Sequence, residues 1–231
     1  MTRAELLQTI ASDEGLSQLL EVARATLDDD PGHNLDHALR VALWTVRLGG
    51  EAVDPGEGIA AALLHDLVNL PKNAPDRHLA SELSAAAALP HLTAAGFDES
   101  ALGRIHDAIR DHSFSRGAVP TADLGRALQD ADRLEALGAI GLFRNISTGA
   151  LMGSQYFDSA DPWAERRALD DKAYSLDHVF VKLLHLPATM TTEAGRVEAT
   201  RRARVLIATI DALAEELGVP VGPHELVDPL R

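Results

Sequence analysis

With 231 residues, 46% of them hydrophobic, the chain is long enough to bury a sizeable core as one domain without cross-links. It has no cysteine, which excludes a disulfide framework, a thiolate zinc site and a cysteine nucleophile, and a cytoplasmic compartment is expected. The net charge of −14, from 35 acids against 21 Lys plus Arg, disfavours long nucleic acids as partners but leaves small phosphorylated molecules open to a few local cations and a metal.

The first residues lack a signal-peptide core, and no apolar run approaches ~18 residues, so no membrane association is expected. Residues 5 to 27 carry Leu6, Leu7, Ile10, Leu16, Leu19, Leu20, Ala23 and Leu27 at helical spacing, broken at Ser12-Asp13-Glu14-Gly15. After the turn Asp28 to Gly32, Asn34 is the expected cap of a helix that stops at Gly49-Gly50. This places His37 in a first turn, where the helix dipole disfavours the protonated ring. A helix over 59–68 delivers His65 and Asp66 near its end, and Pro71 then turns the chain.

A further helix is predicted from Pro75 or Asp76 to Leu89, closed by Pro90, and the next runs from an Asp98 cap to His112. Thr121 is read as the cap of a helix through Leu137, in which Asp130 and Asp132 lie two apart and so on opposing sides. A helix over 139–151 precedes a polar segment, 153–171, read as a loop over a site or a partner surface. Two helices close the chain, Ser175 to Leu186, stopped by Pro187, and Thr192 to Leu217. No segment alternates and none repeats, so the class is all-α.

In order the chain offers His37, then His65-Asp66, then His112, then Asp132, each within an apolar-periodic helix. Buried ionisable groups are costly unless paired or metal-bound. For any one of them the alternative is a capping or hydrogen-bonded residue at a helix end. Adjacent residues such as His65 and Asp66 point about 100° apart, so a metal over their seam needs ligands from other helices.

The runs Gly32-His33-Asn34-Leu35-Asp36-His37, Leu64-His65-Asp66 and Gln129-Asp130-Ala131-Asp132-Arg133-Leu134 resemble the HD-domain superfamily of metal-dependent phosphohydrolases. Val68 to Asn73, His112 to Ser115, Leu128 to Gly141 and Tyr174 to His178 look like one bacterial branch of it, and the resemblance covers roughly residues 28 to 215. It implies an HD-type helical bundle over 1–231, with the metal core at about 28–140 and the helices of 175–217 packed on it. It also implies that His37, His65, Asp66 and Asp132 hold one divalent ion, Mn, Mg or another transition metal by donor chemistry. Asp132 is preferred over Asp130 because it stands before Arg-Leu.

The implied activity is hydrolysis of a phosphate ester or phosphoanhydride, most of all in a nucleotide, with Asp66, Lys72 and His112 as catalytic candidates. Lys72, Asn69, Arg77 and Lys182 are the candidate substrate contacts, the cations because a phosphoryl group needs fixed positive charge. His112 could instead bind a second metal or simply end its helix, and Asp177 could close the pocket. Some nucleotide-cleaving members carry an acid three residues after His-Asp; Asn69 stands here, and an amide cannot take a proton from water. The other readings are a di-iron oxygenase using His91, His106 or His112, and a non-catalytic ligand-sensing module. The acidic surface and the long 153–171 segment allow a homodimer without demanding one.

Overall fold

The computed structural model describes residues 1–27, 32, 34–70, 76–113 and 116–221. The chain divides into two compact units, Met1–Asp132 and Arg133–Arg231. Among the described residues the structure is helical, and its one isolated β-bridge joins Gln155 and Tyr174, so the class is all-α.

The first unit contains α1 (Arg3–Ser12), α2 (Glu14–Thr26), α3 (Leu35–Gly49), α4 (Pro55–Leu64), α5 (Ala80–Ala94), α6 (Glu99–Asp111) and most of α7 (Asp123–Leu134). Side-chain caps set most of the starts: Thr2 and Glu5 form a capping box, and Asp13, Asn34, Asp54 and Asp98 each accept a first-turn backbone N–H. The helix expected from residue 59 begins earlier, because Pro55 at its first position is already set for helical φ and Asp54 caps it. Every residue from Gly58 to Leu64 is buried. A helix apolar on all sides belongs at the centre of its unit, and α2, α3 and α6 pack around α4.

α4 also ends at Leu64 rather than residue 68, and helices after it depart from the sequence expectation as well. Pro90 lies inside α5 rather than closing it, and the helix runs on to Ala94. The continued turns seat Leu92, which is fully buried, and its burial offsets the hydrogen bond lost at Pro90. Gly96, at φ +88°, then turns the chain toward the Asp98 cap. The helix expected from Thr121 to Leu137 is shorter, Asp123–Leu134, with the Arg126 N–H bonded to the Ala122 carbonyl.

The second unit holds the end of α7, then α8 (Gly138–Met152), α9 (Ser175–Val181) and α10 (Glu193–Leu217). Gly138, at φ +70°, makes the bend between α7 and α8. α9 ends at Val181 instead of Leu186, because the Lys182 backbone leaves helical geometry and a tighter 3-10 stretch, Leu183–Thr189, carries on with Pro187 inside it. That tighter winding buries Leu183, Leu184 and Leu186 on α10.

The segment before α9 is a loop, as expected, and its own acids pin it. Asp158 accepts the N–H groups of Ala160 and Asp161, and Asp161 accepts those of Glu165 and Arg166. Asp177, considered from sequence as a pocket residue, is fully buried under a two-pronged contact from Arg167 and also accepts the Asp170 N–H. It anchors the loop. No helix among the described residues is long and apolar enough to cross a membrane.

Candidate metal centre

Four helix ends of the first unit converge on one point. His37 is the third residue of α3, and its N–H is held by the Asn34 side chain at 3.1 Å. His65 and Asp66 follow directly on α4, His112 follows on α6, and Asp132 lies in the last turn of α7. The Nε2 atoms of His37 and His65 are 3.3 Å apart. Asp132 Oδ1 lies 3.5 Å from His37 Nε2, Asp66 Oδ2 lies 3.3 Å from His65 Nε2, and Asp66 Oδ1 lies 3.8 Å from His112 Nε2. Two overlapping sets, His37/His65/Asp132 and His65/Asp66/His112, each bring their donor atoms within 4.8 Å of one another.

The donor chemistry fits a divalent ion. Ligand atoms about 2.1 Å from a metal lie about 3 to 4 Å from each other, the spacing seen here. His65 and His112 each turn Nδ1 onto a carbonyl of their own helix, Ala62 at 2.7 Å and Ile109 at 2.6 Å. A ring nitrogen facing a carbonyl carries the proton, so in the neutral ring Nε2 presents a lone pair to the centre, the usual device that orients metal-ligating histidines. The three rings are buried, while Asp66 and Asp132 keep 21% and 28% side-chain exposure, so one side of the cluster is open to solvent.

The electrostatics favour a cation at the centre. Burial alone would push the His65 ring toward its neutral form, but the Asp66 and Asp132 carboxylates reverse this and raise it to about 9. Burial, and then the His65 charge, push His112 below its usual range, so it stays neutral. Burial raises both carboxyls, yet the imidazoles outweigh it: His65, His112 and His37 hold Asp66 well below the carboxylate range, and His37, His65 and His112 lower Asp132. In the metal-free protein a proton on His65 therefore serves the charge balance that a divalent ion would take over.

Other sequence candidates fall in different places. Lys72 lies outside the described residues. Asn69 and Arg77 are tied together, the Arg77 guanidinium donating to Asn69 Oδ1 at 2.8 Å and to the Leu70 carbonyl. Lys182 belongs to the second unit, at the end of α9. Of the two aspartates on α7, Asp130 is fully buried, while Asp132 faces the histidines. Among His91, His106 and His112 only His112 joins the described cluster; His91 is exposed and His106 faces Asp107.

Two supporting residues gave no sequence signal of their own. Gln129, fully buried on α7, donates to the carbonyls of Asp111 and Ala118 and so fixes the end of α6 that presents His112. Ser84 on α5 accepts the Val68 N–H at 3.0 Å and steadies the turn after Asp66. Only the three-dimensional path of the chain brings either group to its partner.

The part of the chain that holds the cluster is also the part that a known family model matches. The HD-domain family model matches residues 34–137, the span from the cap of α3 to just beyond α7. Bacillus subtilis YpgQ, an uncharacterized protein, is 29% identical over 195 residues, covering 82% of this chain and 87% of that one. The crystal structure of YpgQ in complex with ADP is similar at a TM-score of 0.66 and 27% identity, covering 87% of this chain and 96% of that one. An HD-superfamily hydrolase from Bacillus thuringiensis is similar at a TM-score of 0.66 and 26% identity, covering 95% and 100%. Residues 34–137 match the HD domain, and solved HD-superfamily hydrolases are similar over more than nine-tenths of this chain, which supports membership of that superfamily.

Proposed function

We propose that this protein is a metal-dependent phosphohydrolase that cleaves a phosphate ester or phosphoanhydride of a small molecule, first of all a nucleotide. The observation that carries the reading is the five-donor cluster of His37, His65, Asp66, His112 and Asp132, open to solvent on its carboxylate side. A divalent ion held there, Mn, Mg or another transition metal, supplies Lewis acidity toward a phosphoryl oxygen and toward water. The ADP bound to YpgQ, which is similar to this chain over 87% of its length, supports a nucleotide as the ligand.

The residues divide the work by chemistry. Asp66 and Asp132, ionised throughout the neutral range, supply the anionic ligands. His37, His65 and His112 supply neutral nitrogen, with His65 giving up its proton when metal binds. Asn69 can orient a water by hydrogen bonding without taking its proton. Arg77, already held against Asn69, is a preformed cation for phosphate, and Lys72 is the further candidate cation. Both donor sets share His65, which favours one ion over two, and His91 and His106 stand apart from the cluster, which disfavours the di-iron oxygenase.

The test is release of phosphate and pyrophosphate from nucleoside mono-, di- and triphosphates by metal-stripped protein refilled with Mn, Mg, Co, Ni, Zn or Fe. Metal-dependent release in the wild type and none in Asp66→Asn is expected, and the product names the bond cleaved. A metal-loaded wild type that releases neither product from any substrate would overturn nucleotide hydrolysis.

A further inference from the structure

In the second unit α8, α9 and α10 enclose a cavity of about 560 Å3, walled by Ile146, Leu176, Ile210 and Leu213 among others. Phe143 and Tyr156 line it too, yet they are 69% and 61% exposed. The apolar surface continues past the cavity through Leu151 and Met152, 82% and 61% exposed. Every exposed position of α8, from Ala139 and Ile140 through Phe143 and Ser147 to Met152, is uncharged. The helix has one charged residue, Arg144, which is half-buried and faces Glu135. In a chain of net charge −14 this is a face where charge repulsion does not oppose close approach.

We infer that this protein forms a twofold dimer through α8, with Phe143 and Tyr156 of each copy entering the cavity of the other. An isologous interface needs one patch that is complementary to itself. Here projecting aromatics and an apolar recess lie side by side on the same surface. A small molecule in the recess would leave Leu151 and Met152 in water, because neither lines it; a second copy laid along α8 covers them as well. Of the polar lining groups, Asn145 donates to the Ser175 carbonyl, Ser147 to the Arg144 carbonyl and Thr209 to the Val205 carbonyl, the Ser175 hydroxyl is buried, and Glu216, the one charged residue of the lining, is exposed. The recess therefore suits apolar side chains.

The test uses the full chain in sedimentation velocity from about 1 to 100 μM, where specific interfaces of standard size associate. The expected mass is twice 24.7 kDa. Phe143→Asp and Leu151→Glu, at exposed positions that leave the melting curve in place, each raise the dissociation constant by about a hundredfold or more. Because the chain has no cysteine, Ser147→Cys, near the middle of the face, gives a clean self-cross-link under mild oxidation, and Ala25→Cys on α2 does not. A monomer at all concentrations overturns the inference, including one whose recess takes up an apolar dye. So does a dimer whose mass ignores both charge substitutions.

Discussion

The raised pKa of His65 makes metal binding a competition with a proton, and its size follows from the site. With the ring near 9 in the metal-free protein, about 1% of molecules have His65 neutral at pH 7 and about 10% at pH 8. Asp66 and Asp132 are already ionised in this range and His112 is already neutral, so among these groups His65 supplies the proton that leaves. Each pH unit from 7 toward 9 then strengthens apparent Mn(II) affinity about tenfold, about 1.4 kcal/mol. Anaerobic calorimetric titration between pH 6.5 and 8.5, in two buffers of different ionisation heat, reads the affinity slope and the proton count, expected at about one per ion. Asp132→Asn removes one of the charges that raise His65 and brings the ring's NMR titration midpoint down in metal-free protein. An affinity that does not change with pH, with no proton released, would refute this electrostatic account of the cluster.

Stability of the metal-free protein follows the same groups. His65 has a folded pKa above its ordinary 6.5, so its contribution, on the order of 3 kcal/mol, is complete below pH 6.5 and lost as pH rises through about 9. Asp66 and Asp132, lowered on folding, contribute above about pH 4 and lose it in acid, so denaturant melts of metal-free protein should be most resistant between roughly pH 4 and 6.5. Pro90→Ala restores a backbone donor inside α5 and should raise urea resistance by about 2 kcal/mol; no gain would mean the helix is already relaxed around the proline. Arg167→Met leaves the Asp177 carboxylate buried without its guanidinium and should cost about 3 kcal/mol or more in the second unit, read by thermal melting.

The sequence made legible what local chemistry decides. Asn34 and Asp98 marked the starts of α3 and α6, and Thr192 that of α10, because a side-chain oxygen three residues before a backbone N–H is a local arrangement. The resemblance put His37, His65, Asp66 and Asp132 at one centre and left His112 as a catalytic group, a second-metal ligand or a helix end; the structure brings all five side chains together. Pro90 misled because the packing of Leu92 overrides a local rule, and the end of α9 because Lys182 leaves the helix while Leu183, Leu184 and Leu186 remain buried. Asp177 carries the same functional group as Asp66, and only the position of Arg167 tells an anchor from a ligand. Gln129 was invisible for the same reason, since its partners lie eleven and eighteen residues away.

The most direct test of the central claim is metal stoichiometry: equilibrium dialysis of metal-stripped protein against Mn(II), followed by elemental analysis of wild type, His65→Ala, Asp66→Asn and Asp132→Asn, with circular dichroism to establish that each is folded. The account predicts one ion per wild-type chain and a steep loss of occupancy in all three variants. A wild type that holds no ion, or folded variants that all hold one as tightly as it does, would contradict a metal centre built from these side chains.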